Sequence, residues 1–162
     1  MKTIGILSDT HSYLDPEIAR HFKDCDEIWH AGDIGDADVL RQLSEMAPTV
    51  RAVSGNVDHG EVRRRCPELM IFETGGVKVL LTHIGGYPGK WGRGMSKLIA
   101  DNSINLVVDG HSHILKVMPD PALGVLLVNP GAAGRQGWQK VRTIVRLTID
   151  DNEVKTLDVI HL

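Results

Sequence analysis

Cysteine is scarce in this sequence, with Cys25 and Cys66 as the only two in 162 residues. They do not form a C-x-x-C pair, so the sequence offers neither a thiolate metal site nor a redox motif. Unpaired thiols are typical of a reducing compartment, and we expect a cytoplasmic protein. Any metal ion would therefore be held by nitrogen and oxygen ligands.

Long apolar runs are also absent. No segment approaches the roughly 20 apolar residues of a membrane-spanning helix, so no membrane partner is expected. The first apolar run, 4–7, leads directly into Asp9, a candidate metal ligand. Cleavage of a signal peptide would remove that residue, so we expect the N-terminus to be mature as written.

Positive charge and aromatic side chains are too few to indicate a nucleic-acid-binding protein. The formal net charge is −3, and only 4% of the residues are aromatic. The basic triplet Arg63-Arg64-Arg65 is more typical of a solvated face than of a nucleic-acid site. We therefore disfavour nucleic acid as a partner and leave homo-oligomerisation open. The length and the 42% apolar content predict one domain spanning 1–162.

What the sequence does contain is five short polar turns, each following an apolar run. They are Asp9-Thr10-His11, Gly32-Asp33, Gly55-Asn56, Thr82-His83 and Gly110-His111-Ser112-His113. In extended backbone, residues i and i+2 point to the same side, so Asp9 and His11 should hold one ion together. The same argument pairs His111 with His113. Asp33 has two carboxylate oxygens and could bridge two cations about 4 Å apart.

Single turns of this kind also serve for capping or core hydrogen bonding, which is the structural alternative. The complete ordered set favours a two-metal site. In order and local sequence the turns resemble the calcineurin-like metallophosphoesterases, whose pattern runs D-x-H, G-D-x-x-D, G-N, H and G-H-x-H. The small size and Asn129-Pro130-Gly131 are most similar to the compact bacterial and archaeal phosphodiesterase branch, which also includes the retromer scaffold subunit.

The resemblance implies a ligand set. One metal would be held by Asp9, His11, Asp33 and His113. The other would be held by Asp33, Asn56, His83 and His111, with Asp33 as the shared bridge.

Strand and helix patterns alternate in the first half of the chain. The predicted strands are Thr3–Leu7, Glu27–Trp29, Val50–Val53, Val77–Leu81, Ile104–Val108, Ile114–Met118, Val125–Val128 and Val141–Thr148, with a hairpin turn at Asp151-Asn152 before Val154–Ile160. Helices are predicted after Asp15-Pro16, after Asp36 with Val39, Leu40, Leu43 and Met46, and at Met95, Leu98 and Ile99. These elements predict an α/β fold with two packed mixed β-sheets flanked by helices, and the resemblance implies four layers. The polar turns should then meet at the carboxyl ends of parallel strands.

Several residues near the turns are candidates for supporting roles. Asp36 and Asp58 could accept the free N–H of a metal-bound imidazole, although Asp36 could equally cap a helix. His30 is interpreted as a partly buried structural histidine.

A glycine-rich loop, 85–94, carries Lys90 and Arg93, which we interpret as substrate-phosphate contacts. The alternative is a mobile connector. Arg135 is a further candidate for phosphate binding. Trp138 either covers the edge of the site or simply packs.

The resemblance implies a metal-dependent phosphoesterase, and we favour a phosphodiesterase with a dinuclear metal centre and a bridging hydroxide. Asp33, Asn56 and His83 would be catalytic, and a small phosphate ester would be the substrate. Imidazole and carboxylate ligands suit Mn²⁺, which we prefer, and also Fe, Zn²⁺, Ni²⁺ or Co²⁺. Val57 stands where many family members have a histidine that resembles a general acid, which predicts slow turnover, a substrate with a good leaving group, or a proton delivered by water or His59. The alternative is a metal-binding protein-interaction scaffold with weak or vestigial hydrolase activity.

Overall fold

Twelve strands and four helices make up the protein, whose computed structural model describes residues 1–162. The strands are β1 Lys2–Leu7, β2 Glu27–His30, β3 Thr49–Ala52, β4 Leu69–Thr74, β5 Val77–Thr82, β6 Gly86–Tyr87, β7 Lys90–Trp91, β8 Leu106–Val108, β9 Lys116–Asp120, β10 Val125–Asn129, β11 Thr143–Asp150 and β12 Glu153–His161. The helices are α1 Glu17–Phe22, α2 Asp38–Ser44, α3 Gly60–Arg65 and α4 Met95–Asp101. No helix combines the length and the apolar character needed to cross a membrane.

Two mixed sheets of five strands form the centre of the fold. Their strand orders are β12-β11-β1-β2-β3 and β4-β5-β8-β10-β9, and β6 pairs separately with β7. Within the first sheet β1, β2 and β3 run parallel, and within the second β5, β8 and β10 do. Antiparallel pairings add β11 and β12 on one side of the first sheet and add β4 and β9 at the two edges of the second. The predicted α/β architecture of two packed mixed sheets flanked by helices is confirmed.

Alternating side chains of the sheets explain the layering. Ile6 and Trp29 pack in the apolar cluster between the two sheets, whereas their neighbours Leu7 and Ile28 pack in the cluster formed with α1, α2 and α3. On the far side of the second sheet, Ile99 of α4 contributes to a third cluster. Because strand side chains alternate with a period of two, each sheet buries both faces. The order of layers is helices, sheet, sheet, helix.

The structure also contains elements that the sequence interpretation missed, namely α3, β4 and the β6–β7 hairpin. Helix α3 has six residues, begins at Gly60 and buries only Val62, so no apolar stripe marks it. Strand β4 pairs antiparallel with β5. Three predicted strands begin two residues later than expected, because β8 begins at Leu106, β9 at Lys116 and β11 at Thr143.

The predicted hairpin turn at Asp151 and Asn152 is confirmed between β11 and β12. Their φ angles are 52° and 64°, the left-handed conformation that a type I′ turn requires of both central residues.

Candidate metal centre

The five polar turns meet along one edge of the two sheets. Those after β1, β2 and β3 come from the first sheet, and those after β5 and β8 come from the second. Asp33 Oδ2 lies 3.1 Å from His83 Nε2, and Asp9 Oδ1 lies 3.2 Å from His113 Nε2. Carboxylates of the first sheet therefore face imidazoles of the second.

Six potential ligand side chains fall into two groups, in each of which the ligand atoms lie within 4.8 Å of one another. The first ligand group is Asp9, His11 and His113, and the second ligand group is Asp33, His83 and His111. Asp33 also faces the first group, because its Oδ2 lies 3.8 Å from His11 Nε2. Asp9 Oδ1 lies 3.8 Å from His83 Nε2 of the second group. Both carboxylates therefore lie between the groups, a position expected from the sequence only for Asp33.

Most of these ligand residues have a left-handed backbone conformation. The φ angles are 55° at Asp9, 46° at His11, 54° at Asp33, 72° at His111 and 63° at His113. The argument from extended backbone is therefore wrong, and its pairing of His111 with His113 fails because the two belong to different groups. Left-handed backbone at non-glycine residues costs roughly 1–3 kcal/mol each and clusters at functional sites.

Close approach between turns explains two of the motif glycines. A Cβ atom at Gly55 would collide with the backbone nitrogen and Oδ1 of Asp33. At Gly110 it would collide with Ser8 Oγ and lie 2.8 Å from Asp9 Oδ2. Each glycine lets its own turn pack directly against a carboxylate of another turn.

Buried atoms without hydrogen bonds indicate what the centre is built to hold. Asp9 Oδ1, His11 Nε2 and His83 Nε2 are buried and have no hydrogen-bond partner. Buried polar atoms are normally paired, and leaving one unpaired costs roughly 1–3 kcal/mol. A divalent cation would satisfy all three, and imidazole nitrogen with carboxylate oxygen suits transition-metal ions. The residues present therefore fit a metal site.

Two of the imidazoles are oriented by hydrogen bonds from their other nitrogen. His83 Nδ1 donates to the carbonyl of Ala31 at 2.7 Å, and His113 Nδ1 donates to Gln139 Oε1 at 2.8 Å. A proton on Nδ1 leaves the Nε2 lone pair free, which is the usual state of a metal-binding histidine. Gln139 was not predicted, because it lies in a loop 26 residues after His113 and belongs to no recognisable motif.

Asn56 reaches the second ligand group from the turn after β3. Its side chain is exposed, and its Oδ1 lies 3.1 Å from His111 Nδ1. The next residue, Val57, donates its backbone N–H to Asp33 Oδ1 at 3.1 Å. Asp33 therefore presents Oδ2, rather than both oxygens, to the two groups.

Asp33 and His83 stabilise each other's charged forms. Burial opposes the charge of His83, but the nearby carboxylates of Asp33 and Asp9 favour the protonated imidazole and raise its pKa overall. Burial also opposes the charge of Asp33, but the nearby imidazole of His83 and the hydrogen bond from the Val57 N–H lower the pKa of this carboxyl overall. A metal ion must displace the proton of His83, so metal affinity should increase with pH.

Asp58 holds two ligand turns together through their backbones. Its carboxylate accepts N–H groups of Ile34 at 3.1 Å, Gly35 at 3.0 Å and Gly55 at 2.7 Å. These contacts join the turn of Asp33 to that of Asn56, so Asp58 supports the centre without touching an imidazole.

Asp36 does not accept a hydrogen bond from an imidazole of the centre, which was one of its two predicted roles. It is exposed, accepts the N–H of Asp38 at 2.8 Å at the start of α2, and forms no hydrogen bond with a predicted ligand. The geometry is that of the helix-capping alternative.

His30 is a structural histidine that is fully buried rather than partly buried. Its Nδ1 accepts the N–H of Gly32 at 3.1 Å, so its Nε2 donates to Thr10 Oγ1 at 3.0 Å. Burial lowers the pKa of His30 to about 3, so it is neutral at physiological pH.

Arg63 is held at the centre and does not simply lie in a solvated face. It donates to the carbonyl of Gly55 at 2.8 Å and to Ser54 Oγ at 3.2 Å. It also lines a cavity of about 220 Å³ with Asn56 and His83. Arg64 and Arg65 are exposed, as expected.

The three predicted phosphate contacts lie away from the ligand atoms or already have partners. Lys90 and Arg93 are exposed, and neither lines the cavities that adjoin the centre. Arg135 donates to the hydroxyl of Tyr13 at 2.7 Å and stacks on its ring at 3.8 Å. The glycine-rich loop is anchored as a hairpin, because the indole of Trp91 donates to Asp120 at 2.8 Å.

Two further cavities adjoin the His111–His113 turn and share His111, Ser112 and Ile114. One of about 310 Å³ is also lined by Ile84, Tyr87, Asp109 and Lys116, and the other, of about 420 Å³, by His113, Trp138 and Gln139. Burial raises the pKa of Asp109, in the smaller cavity, to about 8. Organic groups attached to a phosphate at the centre would have space on either side of this turn.

The fold and the grouped ligands define a metal-binding protein of metallophosphoesterase architecture. Residues 1–152 match the family model of the calcineurin-like phosphoesterase superfamily domain, and the chain belongs to this superfamily. The resemblance inferred from the five turns is confirmed.

Similar proteins include two from archaea and one from a eukaryote. A probable metallophosphoesterase of Methanocaldococcus jannaschii is 28% identical over 154 residues, which cover 91% of this chain and 76% of that protein. The solved structure of an archaeal phosphodiesterase has 24% identity and a TM-score of 0.73, with 99% of each chain covered. Entamoeba histolytica Vps29, solved in complex with Zn²⁺, has 18% identity and a TM-score of 0.76, covering 99% of this chain and 98% of that one. At these identities the two structures show a shared fold.

Proposed function

We propose that the protein is a phosphodiesterase with a dinuclear metal centre. One ion is held by Asp9, His11, Asp33 and His113, and the other by Asp33, Asn56, His83 and His111. The observation that carries this proposal is the convergence of three buried, unpaired ligand atoms on the space between the two groups. Mn²⁺ is our preferred ion, and the free, buried Cys25 and Cys66 support a cytoplasmic location.

Two divalent ions would polarise the phosphate and supply a bridging hydroxide as nucleophile. The protein positions the groups around them. Asp33 Oδ2 lies between His11 and His83, while its Oδ1 is fixed by the Val57 N–H. His83 is held by the Ala31 carbonyl. The exposed amide of Asn56 can also donate to a phosphate oxygen.

The diester preference rests on the space around the His111–His113 turn. Two cavities with otherwise different linings adjoin this turn, which suits a phosphorus atom with two organic arms. Val57 concerns the leaving group instead, because it supplies no proton and an ester with a good leaving group should react best.

We expect bis(4-nitrophenyl) phosphate to be hydrolysed faster than 4-nitrophenyl phosphate by metal-stripped protein that has been reloaded with Mn²⁺. The leaving group is the same in both, so the comparison isolates the second arm. Initial rates of nitrophenolate release at matched metal occupancy measure the preference. A faster monoester would contradict it, and no hydrolysis of either by fully loaded protein would support the scaffold alternative.

Replacing Gln139 with alanine should lower the affinity for the ion at the first ligand group by roughly 10- to 100-fold. This is the usual effect of losing the hydrogen-bond partner that orients a metal-bound histidine. The side chain of His113 would lose the bond that orients it. Competition with a chelator measures both affinities. Gln136→Ala is the matched control, because Gln136 is exposed and its side chain forms no hydrogen bond. Equal weakening of both ions would contradict the assignment of His113 to one group.

A further inference from the structure

Trp138 has an environment unlike that of the other two tryptophans. It is 100% exposed, whereas Trp29 is fully buried and Trp91 is half-buried with its N–H bonded to Asp120. The proposal that Trp138 simply packs is therefore wrong. A large aromatic side chain that forgoes all burial contributes nothing to the core, so any role of the indole lies at the surface of the protein.

The segment that carries Trp138 is fixed against a predicted ligand. Gln139 accepts from His113 and donates to the carbonyls of Gly134 at 3.1 Å and Gln136 at 2.8 Å. Gly137 has a φ of 119°, and a Cβ atom there would collide with His113 Nδ1. The loop can approach His113 this closely only with glycine, so the exposed indole is held beside the candidate metal centre.

The cavity beside Trp138 adjoins that centre. It has a volume of about 420 Å³ and is lined by His111 and His113 together with Trp138 and Ile114. Ile114 is 61% exposed and lines the same cavity, so it adds a second accessible apolar side chain. The lining thus combines imidazoles of both ligand groups with two exposed apolar side chains.

We propose that Trp138 and Ile114 form a subsite for an aromatic or heterocyclic ring in one ester arm of the substrate. The inference rests on the proposed phosphodiesterase function, because it assumes that a phosphate sits at the metal centre. A flat ring stacks on the indole while the phosphate stays near His111 and His113. Trp138 is thereby a specificity-determining residue that favours ring-bearing diesters over purely alkyl ones.

Binding of phenylphosphonate and methylphosphonate to the Mn²⁺-loaded protein tests this subsite by calorimetry, without any need for turnover. Trp138→Ala should lower the affinity for phenylphosphonate about 10-fold, as expected for loss of one stacked ring, and leave the affinity for methylphosphonate unchanged. Trp138→Phe should restore most of the affinity. Because Trp138 is fully exposed, neither variant should alter the thermal unfolding midpoint.

Val141→Ala is the matched control, since Val141 is an apolar residue that is 56% exposed near the same loop and does not line the cavity. Equal effects on both phosphonates, or none on either, would overturn the subsite. Weakened phenylphosphonate binding in a protein that hydrolyses no phosphodiester would uphold the ring subsite and reject the proposed catalytic function. The two failures are thus distinguishable.

Discussion

Asp33→Ala should lower the affinity of both metal ions and abolish most phosphodiesterase activity. The Oδ2 atom of Asp33 lies 3.1 Å from His83 Nε2 and 3.8 Å from His11 Nε2, so the substitution removes a carboxylate from both ligand groups. The loss for each ion should exceed the roughly 10- to 100-fold effect of removing an outer partner. The affinity for the ion of the second ligand group should fall more, because Asp33 Oδ2 lies closer to His83 Nε2 than to His11 Nε2.

Elemental analysis after equilibrium dialysis at a fixed Mn²⁺ concentration measures this result directly. His11→Ala is the informative comparison, because it should lower the occupancy only of the ion in the first ligand group. Asp36→Asn is the matched control, since Asp36 follows the same strand but only caps α2. Unchanged occupancy in Asp33→Ala would falsify the bridging assignment, and loss of one ion alone would make Asp33 a single-site ligand.

Val57→His should accelerate the hydrolysis of esters with poor leaving groups, by up to about 100-fold if the imidazole is ideally placed. The backbone of Val57 is anchored at the centre by its N–H bond to Asp33, and its side chain is 48% exposed. An imidazole there has room to reach a leaving oxygen. Its unperturbed pKa of about 6.5 suits proton donation near neutrality.

The size of this rate gain should depend on the leaving group of the ester. An alkyl ester should improve more than an aryl ester, because only the alkoxide needs a proton. The gain should be full below the pKa of the new histidine and fall as pH rises through it, since the neutral imidazole no longer donates. The alkyl-to-aryl rate ratio at equal metal occupancy is the measurement, with Val57→Asn as a control of similar size. An unchanged ratio would mean that residue 57 does not face the leaving group.

Strand alternation and the polar turns allowed much of the fold and candidate site to be predicted. Apolar runs such as Val77–Leu81 bury both faces of a parallel strand, and this pattern is local in the sequence. The ligand turns follow such runs, so their meeting at one sheet edge required only the rule for parallel strands. The short helix α3 lacks an apolar stripe and was missed for that reason.

Long-range contacts account for what the sequence did not reveal. Gln139 reaches His113 across 26 residues, and Asp58 connects two turns through backbone N–H groups that any residue could supply. The backbone at Asp9 and His111 is left-handed, which the side-chain alternation of an extended strand does not predict. Lys90 and Arg93 were predicted to bind phosphate from their place in a glycine-rich loop, but neither side chain lines the cavities of the centre.

Anomalous diffraction from crystals of the Mn²⁺-loaded protein tests the dinuclear proposal most directly. We expect two Mn²⁺ ions about 4 Å apart, with Asp33 between them, His113 on the first and His83 on the second. A single ion, or none, in protein that hydrolyses phosphodiesters at its full rate would contradict the account.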